Sequence, residues 1–182
     1  MARIQPLTTE TASPEGAQIL TAIKGKIGMI PNLYATMAHS PAALSAALAF
    51  GDAMGSSVLS AQVKEQLALA IAGANTCDYC ASAHTAIGKM TGVDASELSQ
   101  NLAGNASDSK VQALLTLATS IVKSRGSVTD AEIAEARSAG VTDAEIVEVV
   151  ATVAINTLTN YFNHIAQTTI DFPIVETAGV AV

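Results

Sequence analysis

The sequence predicts an all-α fold, and three features point that way. Hydrophobic residues make up 49% of the chain but aromatics only 3%, with no tryptophan. Such a core must be built from closely approaching helices with small side chains. Helix-start signals recur along the chain, either Ser followed by Pro or Thr followed three residues later by Glu. Between these signals apolar residues return at helical spacing. At 182 residues the chain can bury a core without disulfide staples. The expectation is one multi-helix bundle domain over 1–182, with an N-terminal arm to about residue 13 and a poorly ordered tail over about 174–182.

The elements follow in order from their start and stop signals. Ser13-Pro14 opens a first helix that closes around Gly25 and Gly28. Pro31 biases Ile30 away from helix, and the stretch after it has room for a helical turn or two. Ser40-Pro41 repeats the cap-plus-proline signal for a helix to about Met54, weakened at its end by Gly51 and Gly55. Ser60 caps a helix to about Ala74, with Gln62, Gln66 and Gly73 as its polar stripe. Asn75-Thr76 forms a corner, and Thr76 is the expected N-cap of a helix from Cys77 to about Thr91, ended by Gly92. Asp94 and Glu97 read as a capping box for a short helix, and Ser107 begins a longer one to about Ser124. That helix turns Val111, Leu114, Leu115, Ala118, Ile121 and Val122 to one face. Thr129-x-x-Glu132 and Thr142-x-x-Glu145 are capping boxes thirteen residues apart, read as convergent helix starts. The second opens a long apolar segment, expected to break near Asn156 and to stop by Asp171-Phe172-Pro173.

The chemistry is concentrated between Glu65 and His84. This stretch holds the only two cysteines, Cys77 and Cys80, with His84 four residues beyond the second. On a helix advancing about 100° per residue, Cys77, Cys80, His84 and Ile87 fall within a sector of about 80°. Asp78, Ser82, Thr85 and Lys89 take the opposite side. Both sulfurs then lie in the first turn, where unpaired N–H groups and the helix dipole favour a thiolate. Two cysteines in this spacing can close a disulfide with little backbone movement. His84 can exchange a proton with Cys80, and Glu65, from the preceding antiparallel helix beside Ala68, Leu69 and Ala72, can orient that histidine directly or through water. A four-ligand zinc site from the same residues is awkward, because both thiols and the imidazole sit on one rigid turn and a half. His39, His164, Tyr34 and Tyr161 are read as connector or packing residues. Tyr79, inside the motif, is able to donate a hydrogen bond to something bound there.

A formal charge of −7 with nine scattered basic residues leaves no cluster to neutralise phosphates, so neither nucleic acid nor an anionic membrane is an expected partner. The first residues lack an apolar export region, and no run of about 18 apolar residues appears. A cytoplasmic location is expected. In a reducing compartment a Cys-x-x-Cys pair points to redox or metal chemistry more than to a structural staple.

Glu65, Cys77, Cys80 and His84 together resemble the signature of the alkylhydroperoxidase D-like proteins within the carboxymuconolactone decarboxylase superfamily. The stretch GMIPNLYATMAHSP is similar to the N-terminal motif of many members, and NYFNHIAQTTIDFP to their C-terminal helix. The resemblance implies an all-helical fold of the alkylhydroperoxidase D-like type, assembly into trimers or hexamers, and thiol peroxidase activity. It implies that Cys80 attacks the peroxide, that Cys77 resolves the sulfenic acid into a disulfide, and that His84 and Glu65 form the proton relay. Where the best-studied branch carries a second histidine between the cysteines, this chain has Tyr79, a possible modulator.

The expected function is therefore reduction of a hydroperoxide, with an external dithiol, lipoylated or thioredoxin-like, restoring the thiols, and with no cofactor or metal. Two other classes use the same cluster. One is a non-catalytic metal or small-ligand binder, and the other a redox-sensing oligomer whose disulfide alters assembly.

Overall fold

A computed structural model describes residues 2–177; Met1 and the last part of the expected tail, 178–182, lie outside the described residues. Among the described residues there are nine α-helices and no strand, so the all-α expectation is borne out. Two compact units are present, Met1–Ser56 with Tyr161–Asp171, and Ser57–Asn160 with Phe172–Val182.

The first unit contains α1 (Pro14–Ile27), α2 (Asn32–Met37) and α3 (Pro41–Ala53), followed by a short 3₁₀ turn at Met54–Ser56. The caps are those the sequence announces. Ser13 accepts from the Gly16 N–H and Ser40 from the Ala43 N–H, each followed by proline at the first helical position. The N-terminal arm is tied down by backbone hydrogen bonds, from Arg3 N–H to the Ala166 carbonyl and from Leu7 N–H to that of Ala35. Within this unit the two outlying motif stretches meet. The Asn32 backbone N–H donates to Asp171 Oδ2 at 2.8 Å, and its side chain to the Thr169 carbonyl at 2.9 Å.

The second unit is organised around α4 (Ala61–Ala74), which packs against α5 (Asp78–Met90), α6 (Ala95–Leu102) and α7 (Ser109–Ser124). Seven consecutive residues of α4, Gln66 to Ala72, are buried, as a helix enclosed on several sides requires. The core joins Leu67, Ala70 and Ile71 to Leu114, Leu115 and Ala118 of α7, Ala136 of α8 (Asp130–Ser138), and Val149 and Val153 of α9 (Asp143–Ala166). Gln66, expected on the polar stripe, is buried instead, its amide reaching Glu97 Oε1.

Several boundaries differ from expectation for local reasons. The long helix begins two residues later, at Ser109, because Asp108 accepts from the Lys110 and Val111 N–H groups. Glu97 does not return to Asp94; it binds Ser107 instead, so no reciprocal box forms there. The boxes at Thr129 and Thr142 both close. α9 runs unbroken through Asn156, whose side-chain amide donates to the Thr152 carbonyl one turn back, and it stops at Ala166, where Gln167 takes a positive φ. Residues up to Thr177 do not trail away. Val175 N–H donates to Ser82 Oγ at 2.9 Å, and Thr177 N–H to Asp78 Oδ1 at 2.8 Å.

Close helix approach is enforced at Gly73, where an added Cβ would overlap the Leu102 carbonyl oxygen of α6. Because the obstacle is backbone, no side-chain rotation relieves it. Gly73→Ala is expected to destabilise the protein by about 3 kcal/mol in chemical denaturation; an unchanged midpoint would show that α6 moves freely.

Candidate active site

The site is built at the α4–α5 junction. Ser60 caps α4 through the Val63 N–H, and one turn on the helix presents Glu65. At its far end α4 closes as a Schellman motif: Thr76 N–H donates to the Gly73 carbonyl, and Cys77 N–H to that of Ala72 at 2.9 Å. The left-handed residue of that motif is Thr76, at φ 54°. Asn75 is held from its side chain, which donates to Asn160 Oδ1 at 2.9 Å.

This geometry corrects the expected cap. Thr76, being left-handed, cannot occupy the extended N-cap conformation; Cys77 does, at φ −101° and ψ 94°, with its Sγ accepting the Cys80 N–H at 3.4 Å. A sulfur at the N-cap meets an otherwise unpaired helix N–H, a placement that favours negative charge on the thiol pair. The two sulfurs are 2.8 Å apart, and both residues are buried, at 1% and 3% exposure.

His84 follows one turn after Cys80. Its Nδ1 is 2.7 Å from Glu65 Oε2, so the orienting contact is direct, and the two side chains are only 22% and 17% exposed. Burial acts to lower the histidine pKa, but the Glu65 charge and hydrogen bond oppose it. With smaller help from negative charge on Cys77 and a hydrogen bond to the Asn156 side chain, they raise the pKa above 6.5.

The four residues singled out from the sequence thus form two contacting pairs, Cys77 with Cys80 and Glu65 with His84, with Cys80 and His84 one turn apart on α5. Tyr79 is placed differently: it is buried at 5% exposure, with its ring edge-on to Phe172 at 5.8 Å and 89°. Ser82, assigned to the polar side, is fully buried beneath the 172–177 segment. His39 is engaged with the Gln5 carbonyl in the first unit. Asn156, which the sequence reading left outside the site, is among the groups that raise the His84 pKa. Its only signal was position, on the same face of α9 as the core residues Val149 and Val153. Among the described residues, no group of three or more His, Cys, Asp and Glu side chains is arranged to hold a metal ion.

Residues 40–113 match the model of the carboxymuconolactone decarboxylase family. The family resemblance is borne out. That family segment carries Glu65, Cys77, Cys80 and His84, and ends before α9. No curated protein matches the chain. Among solved structures, an alkylhydroperoxidase AhpD core from Ralstonia eutropha JMP134, a peroxidase-related protein, superposes with a TM-score of 0.84 at 24% identity, covering 93% of this chain and 92% of that one. A peroxidase-related protein from Silicibacter sp. TM1040 gives 0.79 at 22% identity, over 92% of each chain. A variant of the debrominase Bmp8 in complex with 2,3,4-tribromopyrrole gives 0.78 at 20% identity, over 93% and 91%. These likenesses establish the alkylhydroperoxidase D-like fold. No helix among the described residues is long and apolar enough to cross a membrane.

Because the folded pKa of His84 is raised, its pairing with Glu65 stabilises the fold fully below 6.5, and this contribution fades as pH rises through the folded value. Glu65→Gln is expected to cost about 2 kcal/mol in the acidic part of that window and progressively less above it. Urea titrations at a series of pH values check this, and a pH-independent difference would refute the pairing.

Proposed function

We propose that this protein is a thiol-dependent peroxidase-like oxidoreductase, reducing hydroperoxides through a Cys77/Cys80 dithiol–disulfide cycle with a Glu65/His84 proton relay. The observation that carries the reading is two reduced sulfurs 2.8 Å apart at a helix start, beside a histidine bonded to a carboxylate. The family-model match over residues 40–113 and the likeness to peroxidase-related structures agree with it.

In this scheme the Cys80 thiolate attacks the terminal peroxide oxygen. A sulfur–oxygen bond forms, the oxygen–oxygen bond breaks, and the departing alkoxide takes a proton from the relay. Cys77 then attacks the Cys80 sulfenic acid, giving the disulfide and water once its thiol proton joins the leaving hydroxide. An external dithiol of the lipoylated or thioredoxin-like type reduces the disulfide by exchange. Tyr79, fixed against Phe172, is a modulator through packing around the first turn of α5. The whole of 1–182 is read as one alkylhydroperoxidase D-like domain, acting in the cytoplasm without metal or cofactor.

Assembly into a homo-oligomer, trimer or hexamer, belongs to the same proposal. It is supported by Val147, Val150 and Leu158, which leave an apolar stripe on α9 with 68%, 50% and 47% exposure. A second copy of this chain is the proposed occupant.

Hydroperoxide added to reduced protein is expected to consume one equivalent and remove both thiols. Cys80→Ser should abolish turnover, whereas Cys77→Ser should stop after one sulfenic acid. A Cys80→Ser variant that consumes peroxide at the wild-type rate ends the proposal. The substrate panel should include 2,3,4-tribromopyrrole, since a protein of this fold binds it; bromide release without peroxide loss would replace the peroxidase reading with a dehalogenase. In light scattering, wild type should have a multiple of the chain mass and Leu158→Glu a smaller mass. A monomeric wild type would remove the assembly from the proposal.

A further inference from the structure

Asp78 and Tyr79, the two residues that separate the cysteines, are both held by the segment 172–177. The Tyr79 ring, 5% exposed, lies edge-on to Phe172. Asp78 Oδ1 accepts twice from one residue, from the Thr177 N–H at 2.8 Å and from the Thr177 hydroxyl at 2.6 Å. Ser82, fully buried one turn on, ties the two chain segments together. Its hydroxyl accepts from the Val175 N–H at 2.9 Å and donates to the Asp78 carbonyl at 2.7 Å. The segment forms no helix or strand, so its Val175 and Thr177 N–H groups find their acceptors on α5. None of these groups belongs to the thiol pair or to the Glu65–His84 relay.

Whether two cysteines three positions apart close a disulfide depends on the backbone between them, because the bond accepts a narrow range of Cα and Cβ placements. A free dipeptide gives up conformational freedom when that ring closes. A dipeptide fixed from outside has given it up beforehand. The clamp on Asp78 and Tyr79 therefore favours the oxidised pair over the reduced one. By linkage, closing the disulfide tightens the clamp by the same factor.

We propose that Asp78 and Ser82 are positioning residues through which the 172–177 segment sets the reduction potential of the Cys77/Cys80 pair, by fixing the dipeptide between them in a disulfide-ready conformation. The inference rests on the dithiol reading of the site, but not on peroxide as the oxidant.

The test is the equilibrium of the full chain with glutathione redox buffers, read as the fraction of protein that has lost both thiols. In that exchange Cys77 and Cys80 give up two electrons and two protons as their sulfurs join, and one glutathione disulfide takes up both as it becomes two thiols. Asp78→Ala should lower the equilibrium constant for disulfide formation about fivefold, which raises the potential by about 20 mV. Thr177→Val and Ser82→Ala remove bonds of the same clamp without changing the charge, and should shift the equilibrium in the same direction. Asp78→Asn keeps an acceptor oxygen for Thr177 and loses the charge, so it should stay close to wild type. If Asp78→Asn shifts as far as Asp78→Ala, the effect belongs to the charge near the thiols and the proposal is overturned. Wild-type constants in Asp78→Ala and Thr177→Val overturn it equally.

Amide exchange on the unmutated chain depends on no variant folding. The Val175 and Thr177 N–H groups should exchange about fivefold more slowly in the oxidised protein than in the reduced one, and equal rates overturn the clamp. Peroxide consumption on the same samples separates the two readings. A wild type that forms the disulfide with glutathione, shows the expected shifts and consumes no peroxide sinks only the peroxidase. An active wild type with unshifted variants sinks only the clamp.

Discussion

The link between α4 and α5 is three residues long, Asn75 to Cys77, and the site depends on how it closes. A Schellman motif turns the chain within Asn75-Thr76, so that Cys77 at once ends the hydrogen bonding of α4 and begins that of α5. The two helices therefore run antiparallel at close range, which brings Glu65, near the start of one, against His84, in the middle of the other. Thr76 holds the left-handed conformation that glycine would adopt most easily. A β-branched residue there costs on the order of 1–2 kcal/mol. That cost is offset by the motif's two backbone hydrogen bonds and by the anchoring of Asn75 on Asn160.

Two electrostatic devices converge on the thiol pair from this turn. Cys77 occupies the N-cap and receives a helix N–H, while the imidazole of His84 is drawn toward its protonated form despite burial. Low exposure raises the worth of each contact, since charges in a partly dehydrated site are screened less than in water. The same low exposure makes each contact costly to lose.

The C-terminal segment has a structural part in this. Phe172 buries one edge of Tyr79, and the backbone around Val175 and Thr177 satisfies Ser82 and Asp78 on the side of α5 away from the sulfurs. These contacts brace the first turn of the cysteine helix from behind, so the N-cap geometry of Cys77 is held from both ends of the second unit's sequence.

Much of this was legible in the residues alone. Ser13-Pro14, Ser40-Pro41, Ser60 and the two Thr-x-x-Glu boxes marked helix starts because capping is local chemistry between residues two or three apart. The cysteine spacing, His84 and the angular position of Glu65 were likewise readable, since each depends on helical periodicity over a few turns. Tertiary structure decided the rest. Whether Thr76 or Cys77 caps α5 depended on how α4 terminated, and whether Gln66 and Ser82 faced water depended on α6 and the C-terminal segment packing over them. Asn156 looked like a place where α9 would break, because an amide in an apolar helix competes with the backbone. Its side-chain amide instead returns to the Thr152 carbonyl and the helix continues, while Glu65 and His84 meet across 19 positions in a contact that only the packing of α4 on α5 decides.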